Sequence, residues 1–291
     1  MHPVIASARQ FVLAQGRLLE QRLFDTCFLG EPAVGVVDAL RGYRNADGGF
    51  GHGLEPDKRC PASLPIDVEV ALKTLVAAGA TDDGLALGAC DYLERVADDV
   101  DHDGAVPLAF PVIEDYPRAE HWTDWTYVPG LNPTAGLVGW LHRLGVEHTW
   151  VEAATTYCWQ ALESGGGRGD VHDLSESLIF LAHVPDRERA VIAATTLMQR
   201  LDEVRLLNLD PAEASYGLTP LHLARTPESP WRTYFSDEQI EAHLDQLAAG
   251  QQADGGWPIT WDPPSEASAC EWRAIWTVQA VQTLTSYGRI G

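Results

Sequence analysis

"QQADGGWP", residues 251–258, lies between two stretches of helical periodicity and ends on an aromatic residue and a proline. A looser copy, "RNADGGFG", stands at 44–51. Paired glycines mark a sharp turn, because glycine takes a positive φ without steric cost. The aromatic that follows can then fold back onto a neighbouring helix. One such copy is a turn, whereas two at like positions imply a repeated unit.

Outward from these turns, apolar residues recur at three- and four-residue spacing and strict alternation is rare, so the chain reads as all-α. The pattern predicts eleven helices, over 4–23, 31–43, 65–79, 82–98, 132–145, 148–163, 171–184, 186–203, 216–225, 236–250 and 268–287. Ser236 in "SDEQ" reads as an N-cap, and Pro133 in "NPTAG" as a first helical residue. Links after odd-numbered helices are mostly short, at 80–81, 146–147 and 185. Links after even-numbered ones tend to be long, at 44–64, 99–131, 204–215 and 251–267. Both turns fall in the long set, as do the related "DHDGAVP" at 101–107 and "ESGGGRG" at 163–169. In an up-down array every second link lies on one face, and loops gathered on one face of a rigid scaffold carry function. The pattern favours a single domain over 1–291, an α/α toroid of about six inner and five to six outer helices. An open solenoid is the competing arrangement.

The chain has 291 residues and a formal net charge of −22, which opposes binding to nucleic acid or to anionic membrane surfaces. Its five cysteines, Cys27, Cys60, Cys90, Cys158 and Cys270, are dispersed and form no CxxC pair, the usage of a reduced cytoplasmic protein. Arg9, Arg17, Glu20 and Arg22 interrupt the apolar residues near the N-terminus, so no signal peptide is expected there. No run of about 18 apolar residues occurs, so no membrane span is expected. The histidines show neither HxH nor HExxH spacing, and "GGFGHG" and "GGGRG" lack the context of a nucleotide loop. Neither a metal nor a cofactor is expected, and the chain is expected to be a monomer.

"QQADGGW" fits the QW pattern, a glutamine, then a glycine, then a tryptophan, and in this it resembles the terpenoid cyclase and protein prenyltransferase superfamily. The resemblance is clear over 239–284, degraded over 38–76, where Asn45 and Phe50 replace glutamine and tryptophan, and faint at 101–107. It implies the toroid fold, with Gln251 or Gln252 bonding backbone at helix ends and Trp257 stacking nearby, all structural roles. Two departures matter. The DxDD motif of class II cyclases has as its nearest counterpart Asp67-Val68-Glu69-Val70, which lacks the second adjacent acid; "DVDHD" at 99–103 has the acids but lies in a loop. The Asp-x-Cys zinc pair of prenyltransferases is absent, which disfavours that activity.

Candidate acids stand at the starts of the expected inner helices: Asp67 and Glu69, Asp173 and Glu176, Glu266 and Glu271. First-turn acids commonly compensate the helix dipole, so the bland reading applies to most of them. Glu69 is different, because it sits in the strongly apolar "VEVALKTL", where a carboxyl group takes a raised pKa and can act as a general acid. It must be neutral, paired or catalytic, and Arg273 is a possible partner. If Asp67 begins the helix, Glu69 lies about 200° around it, leaving Asp67 to cap. Aromatics gather in the same loops: Trp122, Trp125 and Tyr127 in "HWTDWTYVPG", and Trp261, Trp272 and Trp276 near the C-terminus. These, with His52, are the candidate substrate-binding residues, either as loop packing or as a π-lined cavity.

The resemblance implies a terpenoid cyclase-like lyase or isomerase, acting by acid-initiated cyclisation or isomerisation on a largely apolar small molecule. A carbohydrate-active α/α barrel and a non-catalytic binding or scaffold protein are the alternatives. Paired acids in a groove, an apolar cavity or a filled centre would separate them.

Overall fold

The computed structural model describes residues 1–100, 102–199, 201–213 and 215–291. Among these, twelve α-helices and four short 3-10 turns occur, with three isolated bridge pairs and no strand. The helices are α1 Pro3–Gln15, α2 Leu18–Leu29, α3 Val34–Arg41, α4 Pro65–Ala77, α5 Asp83–Asp99, α6 Leu131–Leu144, α7 Thr149–Glu163, α8 Val171–His183, α9 Arg187–Leu197, α10 Pro220–Leu223, α11 Asp237–Ala249 and α12 Glu266–Ser286. Asp101 of "DVDHD" and "DHDGAVP", Arg200 of the expected helix 186–203 and Ala214 of the expected loop 204–215 lie outside the described residues.

Most predicted helices are present with small shifts, the one expected over 186–203 ends early at Leu197, and two others differ more. The expected helix over 4–23 is two helices, because Gly16 turns extended (φ −78°, ψ 155°). A Cβ at Gly16 would stand 3.0 Å from Ala274 Cβ, so glycine lets α12 approach here. Beyond the break Glu20 accepts a hydrogen bond from Arg17 N at 3.1 Å and restarts the helix. The expected helix over 216–225 shrinks to the single turn of α10. Ser236 does cap α11, its Oγ accepting Gln239 N at 3.1 Å. Asn132 is non-helical, which makes Pro133 the first helical residue of α6.

The chain divides into two compact units. In residues 36–205, α4 packs on α6 and α6 on α8, while α4–α5, α6–α7 and α8–α9 form hairpins and α5 packs on α7. Alternate helices thus lie in two layers. Gly136 and Gly139 bring α6 against α8, since a Cβ at Gly139 would sit 2.7 Å from the Ile179 backbone. In the unit formed by 1–35 and 206–291, α12 packs against α1, α2 and α11, and α10 packs on α11.

The two glycine turns dock in the same way. Gly48 has φ 89° and Gly255 has φ 94°. A Cβ at Gly48 would overlap the carbonyl oxygen of Gly88 in α5, and one at Gly255 that of Ser7 in α1. The following glycines lie against rings one helical turn further on, Gly49 on Tyr92 and Gly256 on Phe11. Asp47 and Asp254 each accept the backbone N–H two residues ahead, at 3.0 and 3.1 Å. Gly104 of "DHDGAVP" meets the backbone of Ala153 and Ala154 in α7 in the third instance. The N-terminal helix α1 therefore stands to the turn before α12 as α5 stands to the turn before α4. Repetition read from sequence is repetition in contacts.

Candidate active site

Helices α4 and α8 carry chemistry-bearing pairs at i and i+4 spacing, which places each pair on one helical face. On α4 the pair is Glu69 and Lys73, and on α8 it is His172 and Glu176. Helix α6 lies between them and is bare at Gly136, where a Cβ would overlap Glu176 Oε2 and come within 3.5 Å of Glu69 Oε1. Through this gap the Glu69 and Glu176 carboxyl groups reach each other and share a hydrogen bond. Two carboxylates repel, so such a bond requires a proton.

Electrostatics set how readily the pair holds that proton. Burial raises Glu69; the charge of Lys73, the hydrogen bond to Glu176 and the charge of His172 oppose the rise, and Glu55 adds to it. Glu176 is raised well above the usual carboxylate range, first by burial and then by the negative charge of Glu69, with Lys73 opposing. The hydrogen bond favours the charged form of Glu69 and the neutral form of Glu176. Sharing one proton, the two carboxyl groups titrate as a single pair, raised by burial. Both residues keep part of their surface accessible, yet Glu176 Oε2 is sealed from solvent and has no hydrogen-bond partner.

The loop before α4 supplies the surroundings. Asp67 is buried, and its Oδ1 accepts Glu55 N at 2.7 Å. Leu64 precedes the helix and Pro65 opens it, so Asp67 does not cap α4; it ties the loop 44–64 to the first turn of the helix. Asp67 and Glu69 therefore occupy separate environments. Glu55 in turn accepts the ammonium of buried Lys58, and its Oε2 also accepts Asp57 N at 3.1 Å. His121 lies 3.6 Å from Asp57 and feels the charges of Glu55, Lys58 and His172. Asp173 is raised by burial and by Asp170.

Arg273 is not the partner of Glu69. It bonds Gln252 at 2.7 Å and Asp254 at 2.9 Å, and holds the second glycine turn. Trp122 is buried in a loop cluster with Cys60, Leu64, Ala109, Ile113 and Ala119; Trp125 and Tyr127 pack on that cluster. Its ring meets Trp125 at 4.7 Å and lies under Lys58 Nζ at 4.7 Å, so it serves loop packing. Tyr127 donates to Glu114 at 2.9 Å. His52 is exposed, with Nε2 2.9 Å from Asn45 Oδ1. In the other unit, Trp261 and Trp272 meet edge to face at 5.2 Å, Trp276 stacks on His222 at 4.8 Å, and Glu266 and Glu271 belong to the first turns of α12. Of the candidate acids, the structure brings together Glu69 and Glu176.

Sequence reasoning missed Lys73, Gly136 and the pairing itself. The signals were present as "EVALK" at 69–73, "HDLSE" at 172–176 and the Gly136/Gly139 spacing in "GLVG". Among the described residues no group of three or more His, Cys, Asp and Glu side chains is placed to hold a metal ion. Two surface hollows, of about 490 Å³ beside His102 and Tyr157 and about 500 Å³ beside Arg44 and Asp82, are not lined by Glu69 or Glu176. No helix among the described residues is long and apolar enough to cross a membrane.

No family model matches this chain, and no curated protein matches it. Among solved structures, a protein from Actinoplanes is similar over 98% of this chain and 98% of its own, with a TM-score of 0.58 at 16% identity. At that identity the likeness is one of fold.

Proposed function

We propose that this chain is a Brønsted-acid enzyme of terpenoid cyclase type, cyclising or isomerising a largely apolar small molecule inside an α/α toroid of about six inner and five to six outer helices. The observation that carries the proposal is the meeting of the Glu69 and Glu176 carboxyl groups at the gap left by Gly136. The ring is favoured by the two-layer alternation of α4 to α9 and by α1 completing the last repeat beside α12.

In the proposed reaction Glu176 gives its proton to one alkene carbon, the π pair forms the new C–H bond, and the cation develops on the neighbouring carbon. Lys73 offsets the charge left on Glu176. The negative charges of Glu69 and Glu55 favour the cation where it forms. Loss of a proton from the cation ends the reaction, which then consumes no net acid. Neither metal nor cofactor enters this scheme, and the working form is taken to be a cytoplasmic monomer.

The paired acids bear on the carbohydrate alternative as well. Glycosidases hold their two carboxyl groups about 5–5.5 Å apart when retaining and about 6.5–9.5 Å apart when inverting. Directly hydrogen-bonded carboxyls stand too close for a water or a sugar carbon between them. A scaffold protein, for its part, gains nothing from two desolvated acids, which cost stability.

Incubation with a panel of linear isoprenoid alkenes in deuterium oxide tests the proposal. Product should carry deuterium at the protonated carbon, and Glu176→Gln should cut the rate at least about a hundredfold. Full activity in a folded Glu176→Gln protein would remove the acid assignment. Absence of turnover across the panel would remove the cyclase reading.

A further inference from the structure

The two glycine turns dock alike, but the residues that open them differ. In the second turn Gln251 ties the turn to its helix, its Nε2 donating to Val4 O of α1 at 3.0 Å and to Gly255 O at 2.9 Å. Position 44 is the counterpart of Gln251, since "RNADGGFG" aligns on "QQADGGWP". Gly255 rests on Ser7 and Gly48 on Gly88, so Leu85 of α5 is the counterpart of Val4. The first turn has Arg44 where the tethering glutamine would stand. Among the described residues no hydrogen bond or ion pair engages its exposed guanidinium. A hollow of about 500 Å³ lies at the place of the missing tether, and its lining includes Arg41, Arg44, Asn45, Asp82, Gly84 and Leu85.

The charges around this hollow leave one cation over. Arg41 is matched by Asp38 at 2.5 Å and by Asp82 at 2.6 Å, and Asp82 Oδ1 also accepts Leu85 N at 2.9 Å. The Asn45 amide is engaged as well, donating to Pro61 O and Ser63 Oγ at 3.0 Å while its Oδ1 meets His52. Arg44 lies along α5 at Gly88, where a Cβ would overlap its Nη2. Acidic residues outnumber basic ones by 42 to 20 in this chain, yet none pairs with Arg44. A guanidinium is weakly hydrated and presents a rigid fork of N–H donors that fits two oxygens on one centre. We propose that the hollow between the first glycine turn and α5 binds a small oxyanion, a carboxylate or a phosphate, through the Arg44 fork. The site is separate from the acid pair, because neither Glu69 nor Glu176 lines the hollow. The net charge of −22 repels anions at a distance, but salt screens that field beyond about 10 Å, so recognition here is by contact.

Nuclear magnetic resonance of the full chain, carrying isotope-labelled arginine, tests the site. The protein is titrated with sodium phosphate and, separately, with sodium acetate at constant ionic strength. Arg44→Gln identifies the Arg44 side-chain resonance by its loss, and it installs the residue that the other turn carries, so the fold is kept. That resonance should move saturably with at least one of the two anions, with a Kd of about 1 mM or below. Saturation with phosphate alone marks a phosphate ligand, with acetate alone a carboxylate, and with both the fork they share. Gly88→Ala keeps every charge but sets a methyl group where the guanidinium lies, and it should weaken binding at least about tenfold. A linear drift shared with the other arginine resonances would overturn the site. Undiminished affinity in the folded Gly88→Ala protein would overturn it too.

Discussion

Glu176 Oε2 occupies the space in which a side chain at position 136 would begin, so Gly136 and Glu176 are alternatives for one volume. The hydrogen bond to Glu69 exists because α6 offers no Cβ at this point. Gly136→Ala should drive the Glu176 carboxyl away from Glu69. Glycine-to-alanine in a helix favours the helix by about 0.5–1 kcal/mol, whereas overpacking costs about 1–3 kcal/mol. Clash should win, with lower stability in urea denaturation. A more stable protein would show that the two residues do not compete.

The pH dependence of stability should carry the signature of a raised carboxyl. An unfolded glutamate titrates near 4.5, and folded Glu176 titrates well above that. Between the two values the folded chain holds a proton that the unfolded chain has lost, so stability falls as pH rises. The contribution is fully present below the unfolded value and lost through the folded one. Glu176→Gln cannot lose that proton. Urea midpoints at about pH 5 and about pH 8.5 should therefore shift in favour of the variant as pH rises. A shift the other way would place the proton elsewhere.

The glycine turns made the repeat legible, because Asp-Gly-Gly-aromatic is a local signal with a local cause. Helix positions followed from apolar spacing for the same reason. The split of the first helix at Gly16 was not legible: glycine is tolerated in a helix, and what breaks it here is packing against Ala274, far away in sequence. The acid pair was half legible. Glu69 stood out as a carboxyl in an apolar run, and Glu176 was one candidate among several first-turn acids. What joins them is the bare face of α6 at Gly136, which no property of α4 or α8 announces. The aromatic residues were marked by composition alone, which does not separate loop packing from a lined cavity. Trp122 belongs to a loop that is large enough to need a core of its own.

Trp257 tests the structural role of the QW-like turn. Its ring is buried, and Nε1 donates to Leu247 O at 2.7 Å while the backbone N donates to Thr277 Oγ1 at 3.1 Å. Trp257→Ala leaves a cavity and removes one of the hydrogen bonds to Leu247 O, and should cost about 3–5 kcal/mol. Thermal unfolding checks this. A melting curve like that of the natural chain would mean that the turn is held by Gln251 and Arg273 without the ring.

Lys58 and Glu55 bury an ion pair beneath the loop that borders the candidate site. Lys58 is 1% exposed and Glu55 is 6% exposed, so both charges have left water. Lys58→Met removes the cation and keeps most of the volume, including contact with the Trp122 ring. Glu55 Oε2 then keeps the backbone N–H of Asp57 as its donor, with Asp57 and Asp67 close by in the loop. An uncompensated buried charge of this kind costs roughly 3–5 kcal/mol. Glu55→Gln alone leaves the ammonium stranded and should cost a similar amount. The double variant carries neither charge, and replacing a buried pair by neutral groups is often close to neutral in stability. It should therefore lie nearer the natural chain than either single variant does. Chemical denaturation of the four proteins closes the cycle. Simple addition of the two single losses would mean that Lys58 and Glu55 are stabilised independently of each other, and the loop would owe its position to the Asp67–Glu55 backbone bond and the Trp122 cluster.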